Sequence, residues 1–200
     1  MELIIIRHGR PERIENADGQ VADPELTQVG HDQAAAMAAW MKAEHLDAIY
    51  ASPMARARQT SAPLETAFDM EATVVPGVRE FDDGESAYIP MEELKADKEA
   101  WKAMLEETAN MTRDAFRAEV LESLNEITAS NRGKKVAVVC HGGVINTYAA
   151  DVLGLDGSMF FNPHYASINR FMVASSGERS VVSLNDCGHL RANSETLMLH

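Results

Sequence analysis

Short uninterrupted apolar runs alternate along this chain with longer stretches in which apolar residues recur every three or four positions. Glu2–Ile6 and Val136–Cys140 are runs of the first kind, rich in branched aliphatic side chains, and predict strands buried on both faces. Ala48–Ala51 and Thr73–Val75 are shorter examples, and Tyr165–Ala174 and Ser180–Leu184 predict two strands joined by a turn at Ser176-Gly177. The second kind predicts helices. Met37, Trp40 and Met41 mark one over about 30–44. Met54, Ala57, Ser61, Leu64 and Phe68 mark another, opened by Ser52 as cap and Pro53 in the first turn. Leu94, Trp101 and Leu105, then Phe116, Val120, Leu124 and Ile127, place two more over about 90–105 and 112–130. A further helix runs over Gly142–Leu153 and stops at Gly154. Residues 9–26 and 79–89 read as polar loops.

This alternation predicts an α/β three-layer sandwich, with a mainly parallel central sheet and helices on both faces. No repeat, low-complexity tract or linker divides the chain, so residues 1–200 read as a single domain with a small helical cap insertion around 84–112. In such sheets ligands gather beyond the carboxyl ends of the strands. Arg7-His8-Gly9 and His141-Gly142-Gly143 both fall there.

Charge narrows the partners. The chain has 18 Lys plus Arg against 31 Asp plus Glu, a formal net charge of -13, which repels a nucleic-acid backbone. A small anion could bind only where local Arg and His overturn that field. The opening MELIIIRHGR holds four consecutive apolar residues, too few for a signal peptide or a membrane span, so a cytoplasmic protein with no membrane partner is expected. Cys140 and Cys187 have neither disulfide-framework nor metal-pair spacing and read as packing residues. The Met-rich helix faces suit a core or the face of a homodimer equally.

The candidate chemistry lies at the two strand ends. Each delivers a histidine; Gly9 lets backbone approach a ligand, and Gly142-Gly143 opens a helix whose first amides favour an anion. Arg56 adds a planar fork suited to phosphate oxygens. There is no His-Glu-x-x-His pattern, no clustered Cys and His, and no Walker loop, so neither metal nor cofactor is expected. A cysteine nucleophile at Cys140 lacks an arginine in the following loop. Asp82, Asp83 and Glu85 read as a solvated acidic loop, Arg10 and Arg58 as solvent-facing, and His31, His45, His164, His189 and His200 as surface or packing residues.

Taken together, Leu3–Gly9, Ser52-Pro53-Met54-Ala55-Arg56-Ala57-Arg58-Gln59-Thr60, Arg79-Glu80 and Val139-Cys140-His141-Gly142-Gly143 resemble the histidine phosphatase superfamily, of phosphoglycerate-mutase-like fold. Leu26-Thr27 with Gly30 and Gln33-Ala34, and Leu184-Asn185-Asp186 with His189-Leu190, extend the likeness over nearly the whole chain. The resemblance implies His8 as nucleophile, Glu80 as general acid and base with a raised pKa, and Arg7, Arg56 and a protonated His141 around the phosphoryl oxygens, with Gly9 and Gly142 lining the pocket. It implies a metal-independent phosphatase acting on a small-molecule phosphate ester through a phosphohistidine. Family mutases continue the first motif with Glu-Thr and carry a longer, more basic insertion after the acid; here it continues Arg10-Pro11-Glu12-Arg13 and residues 84–112 are acidic on balance. Phosphoglycerate mutase-type transfer, or a phosphate-dependent binding module without turnover, are the alternatives.

Overall fold

The structure is a computed structural model that describes residues 1–99, 101–102, 114–156 and 159–193. In chain order its elements are β1 (Glu2–Arg7), β2 (Ile14–Glu15), α1 (Gln28–Met41), β3 (Ala48–Ala51), α2 (Ala55–Phe68), β4 (Thr73–Val74), a 3-10 turn (Pro76–Val78), β5 (Ala87–Tyr88), α3 (Met91–Ala96), α4 (Asp114–Ser130), β6 (Lys135–Cys140), α5 (Gly142–Leu153), β7 (Ile168–Val173), β8 (Arg179–Asp186) and α6 (Gly188–Asn193).

Leu3, Ile4, Ile5 and Ile6 of β1 are all fully buried, which requires cover on both faces of the sheet. Because side chains alternate along a strand, this one run feeds two cores. Leu3 and Ile5 join Val120, Leu124, Val144, Ile145 and Tyr148 of α4 and α5. Ile4 and Ile6 join Met37, Met41, Ala57 and Leu64 of α1 and α2. The three-layer α/β sandwich follows from that division.

The main sheet has the order β4-β3-β6-β1-β7-β8. Its first four strands are parallel, and β7 and β8 add antiparallel pairings. β1 and β6 lie side by side in the middle with Leu3 opposite Val136 and Arg7 opposite Cys140. The residues just beyond both strands therefore emerge together.

The structure departs from the sequence expectations where short polar contacts overrule apolar pattern. Trp40 is 46% exposed and sits beside His189 instead of in the core. α2 begins at Ala55, whose amide donates to the Asp23 carboxylate at 2.9 and 3.1 Å; a remote carboxylate supplies the cap expected from Ser52. The loop at 9–26 contains β2, which pairs with β5 over two residues. The helix expected over about 90–105 is interrupted at Asp97, where the chain turns extended, and helical residues resume at 98–99 and 101–102. Residues 103–113, the rest of the expected cap and the start of the following helix, lie outside the described residues. β7 starts later than Tyr165, because Ala166 takes left-handed backbone (φ 55°) and breaks the extended run. α6 was not anticipated.

Candidate active site

Register places the two histidines. His8 follows β1 and donates its backbone N–H to the Cys140 carbonyl at 2.9 Å, and His141 follows β6. Their rings stand 5.2 Å apart, and both residues are buried. His8 Nδ1 lies 2.7 Å from the Gly9 carbonyl oxygen. That oxygen can only accept, so Nδ1 carries the proton and Nε2 keeps its lone pair. Burial first, then the charges of Arg56 and Arg7, hold His8 well below its ordinary pKa. The ring is neutral at pH 7, as a nucleophile must be.

His141 approaches Ser52 Oγ through Nε2 at 2.8 Å. With that hydroxyl donating, Nδ1 carries the N–H, and it is buried without a hydrogen-bond partner. Burial, then Arg56, His8 and Arg7, keep this ring neutral too. The protonated His141 of the sequence expectation is thus not the resting form; a phosphoryl dianion beside it would supply the charge needed to bind a proton.

The arginines are held from behind by tyrosines. The Arg7 guanidinium lies 4.2 Å from the Tyr165 ring centroid and its Nη1 donates to the Pro163 carbonyl. Arg56, with no solvent exposure at all, lies 4.7 Å from the Tyr88 centroid and donates through Nη2 to Asp82. Arg7 Nε, Arg56 Nε and Arg56 Nη1 are buried without hydrogen-bond partners. Those are three buried guanidinium donors unsatisfied by protein, and His141 Nδ1 is a further buried ring nitrogen without a partner, on a ring 5.2 Å from that of His8. Buried donors left so are costly, at about 1–3 kcal/mol each and more when charged, unless something accepts from them.

Glu80 closes the constellation. Its Oε2 accepts from the Gly143 amide at 2.8 Å and its Oε1 from the Phe81 amide at 3.1 Å. A Cβ at position 143 would fall 2.1 Å from Oε1, so only glycine admits this carboxyl to the helix N-terminus. Burial above all, with the nearby Asp82 charge, raises its pKa to about 7 against the opposing Gly143 and Phe81 amides and Arg56. Gly9 also reflects crowding, since a Cβ there would meet the Gly30 carbonyl oxygen at 2.4 Å. The loop after His8 therefore packs directly on the first turn of α1, where Thr27 Oγ1 accepts from the Gly30 amide and donates to the Arg10 carbonyl.

Arg7, His8, Gly9, Arg56, Glu80, His141 and Gly142 thus come together. A Cβ at Gly142 would lie 3.7 Å from Arg7 Nε and 4.0 Å from Glu80 Oε2, placing the start of α5 beside both Arg7 and Glu80. Sequence reasoning missed Ser52 as partner of His141, Thr60, whose hydroxyl accepts from the Gly9 amide at 2.9 Å, and the tyrosines behind the arginines. Asp82 is no solvated carboxylate but the partner of Arg56, and Arg10 pairs with Glu92 at 3.0 Å instead of facing solvent alone. Tyr165 donates to the other Glu92 oxygen at 3.0 Å. Cys140 is buried, and burial pushes its thiol pKa up, consistent with packing. His189 is buried against Trp40. A groove of about 680 Å³ lined by Met1, Asn125, Arg132, Met172 and Arg179 opens at the opposite end of β1 from His8 and holds none of these groups.

Residues 3–187 match the sequence pattern of the histidine phosphatase superfamily, branch 1. The chain belongs to that superfamily and carries its fold. It is 29% identical over 157 residues to a metal-independent phosphoserine phosphatase of Arabidopsis thaliana, a match taking in 72% of this chain and 65% of that protein. It is 27% identical over 170 residues to a probable phosphoglycerate mutase, GpmB, of Yersinia enterocolitica, covering 78% of this chain and 76% of the other. Among solved structures, a variant of the phosphoserine phosphatase of Entamoeba histolytica in complex with phosphoserine superposes with a TM-score of 0.71 at 26% identity, over 94% of this chain and 98% of that one.

Proposed function

We propose that this phosphatase hydrolyses the phosphate monoester of a small metabolite, without a metal ion, through a phosphohistidine on His8. The observation that carries the reading is the set of three buried, unpartnered guanidinium donors, with the buried unpartnered Nδ1 of His141, near a neutral histidine whose tautomer is fixed by Gly9. A phosphoryl group would supply the acceptor oxygens those donors lack, and its phosphorus would be the target of the free lone pair on Nε2.

Two steps follow from the geometry. His8 Nε2 attacks phosphorus in line and the P–O ester bond breaks. Glu80, with its pKa near 7, gives its proton to the departing oxygen. Arg7, Arg56 and His141 donate to the equatorial oxygens, where preorganised donors provide most of the rate in phosphoryl transfer. In the second step the ionised Glu80 takes a proton from water as it attacks phosphorus, the P–N bond breaks, and phosphate leaves with both groups restored. Metal independence is supported by the named character of the Arabidopsis relative, and phosphoserine is the first substrate to assay because two of the similar proteins are phosphoserine phosphatases.

Likeness to GpmB favours a second reading, transfer between phosphoglycerates. Against it, Arg10, the extra cation of the first motif, is already taken by Glu92 and Glu93 instead of being open to a second anion. A binding module without turnover would have no use for a carboxyl raised to about 7 beside its ligand. The free thiols of Cys140 and Cys187 suit a cytoplasmic setting.

The test is release of inorganic phosphate from phosphoserine, para-nitrophenyl phosphate and a panel of phosphorylated metabolites, with chelator present, for the parent and His8→Ala. Chelator-resistant turnover that disappears with the substitution is expected. Interconversion of phosphoglycerates without phosphate release would sink the phosphatase reading in favour of the mutase.

A further inference from the structure

One corner of the Arg56 guanidinium is occupied by protein. Its Nη2 donates to both oxygens of Asp82, at 2.8 and 3.1 Å, while the Tyr88 ring covers one face. Arg56 is fully buried and the Asp82 side chain is one-fifth exposed. Asp82 stands two residues beyond Glu80, on the same loop.

A carboxylate on this arginine could do either of two opposite things. It could occupy the place of the incoming phosphate, so that substrate must displace it. Alternatively it could hold the guanidinium still. The hydrogen bonding distinguishes them: Asp82 takes Nη2 alone, and Nε and Nη1 remain buried and unpartnered. The guanidinium is planar, so fixing one corner and stacking one face sets the directions of the remaining N–H groups.

We propose that Asp82 is a positioning residue for the phosphate clamp, gripping Nη2 of Arg56 so that Nε and Nη1 are directed at the phosphoryl group on His8. The inference rests on the reading of Arg56 as a phosphate ligand. It also means that one loop brings the acid and orients the arginine, so leaving-group protonation and phosphoryl binding are set by the same short segment.

The experiment measures inhibition of para-nitrophenyl phosphate hydrolysis by inorganic phosphate in the full chain, with Arg56→Ala, Asp82→Ala, Asp82→Asn and the double alanine variant. Asp82→Ala is expected to weaken phosphate binding about tenfold, the scale of losing a hydrogen bond to a charged group. Asp82→Asn should weaken it less, since its amide oxygen still accepts from Nη2. The double variant should bind phosphate no worse than Arg56→Ala, because a residue acting through Arg56 has nothing to act on once Arg56 is gone. Unchanged or tighter phosphate binding in Asp82→Ala, or fully additive losses, overturns the proposal. If Asp82→Ala does not fold, Asp82→Asn decides by the same sign: weaker binding supports, unchanged or tighter binding overturns. Should Arg56→Ala itself leave phosphate binding unaltered, the reading of the site fails, a result distinct from an Asp82 effect missing beside a clear Arg56 effect.

Discussion

The two sides of the active site are held by different physics. On one side, Arg7, His8 and His141 stand on the ends of neighbouring parallel strands locked in register by a six-residue ladder and buried between two apolar cores. On the other, the segment from Glu80 to Ala96 has a two-residue strand pairing and a six-residue helix, and apart from Phe81 against Phe116 its connections are mainly polar: Asp82 to Arg56, Glu92 to Arg10 and Glu93 to Arg13. The ladder fixes Arg7, His8 and His141 by backbone geometry, whereas the partly exposed Arg10–Glu92 and Arg13–Glu93 pairs contribute only about 0–1 kcal/mol each. On the proposed mechanism the nucleophile therefore stands on the rigid side, and the acid comes from the side the sheet does not hold.

Substitutions on the two sides should therefore fail differently. The largest effect is expected from His8→Ala, a loss of about 10⁴-fold or more in kcat, because no other group can take the phosphoryl. It should leave no acid-labile phosphoenzyme after rapid quench; turnover that survives would refute the phosphohistidine. Glu80→Gln should cost about 10²–10⁴-fold on an alkyl ester such as phosphoserine, whose leaving oxygen needs a proton. With para-nitrophenyl phosphate the first step needs no acid, so stopped-flow should show a burst of nitrophenolate followed by slow turnover as the phosphoenzyme waits for its base. Equal losses on both esters and no burst would remove Glu80 from that role.

The same division explains what could be read from the sequence. Buried strands announce themselves as apolar runs, and the residues at their ends were legible because pattern fixed both the strand and its termination: Arg7, His8, His141 and the glycines needed no knowledge of distant contacts. Arg56 was legible as a candidate from its place at the start of a helix, and Glu80 only through resemblance to a known family. Asp82, Tyr88, Glu92 and Tyr165 were not, since each acts by meeting a residue from another part of the chain, and nothing in local periodicity tells an acidic loop in water from one paired with a buried arginine. β2 and β5 escaped for a related reason: two residues are too few to show alternation.

The pH dependence sharpens the contrast between nucleophile and acid. Glu80 must be protonated to act, so kcat/KM for an alkyl ester should fall about tenfold per pH unit above about 7. Burial and two arginines keep His8 neutral well below its ordinary range, so activity should hold through mildly acidic pH. A profile rising to a plateau above pH 8 would contradict both assignments. Stability should follow the same carboxyl. Below the ordinary value of 4.5 Glu80 is neutral whether folded or not; as pH rises the unfolded chain ionises first, and the stability so lost is gone completely above about 7. Glu80→Gln should then raise stability at pH 8, by up to about 3 kcal/mol, and leave it unchanged near pH 4, as read from urea melts at the two pH values.

The smallest effect tests whether polar contacts from loops support the rigid side as well. Asp23, in the loop after His8, caps α2 by accepting from the Ala55 amide, one residue before Arg56. An N-cap carboxylate satisfies a free amide and complements the helix dipole, and its removal costs about 1 kcal/mol. In a chain of this size that lowers Tm by about 2–4 °C. If the helix packing of Ala57 and Leu64 is what seats Arg56, Asp23→Ala should show that drop in a thermal melt with inhibition by inorganic phosphate unchanged. A weakened phosphate site at an unaltered Tm would show instead that the cap holds the arginine, and would make this side of the pocket as dependent on loop contacts as the other.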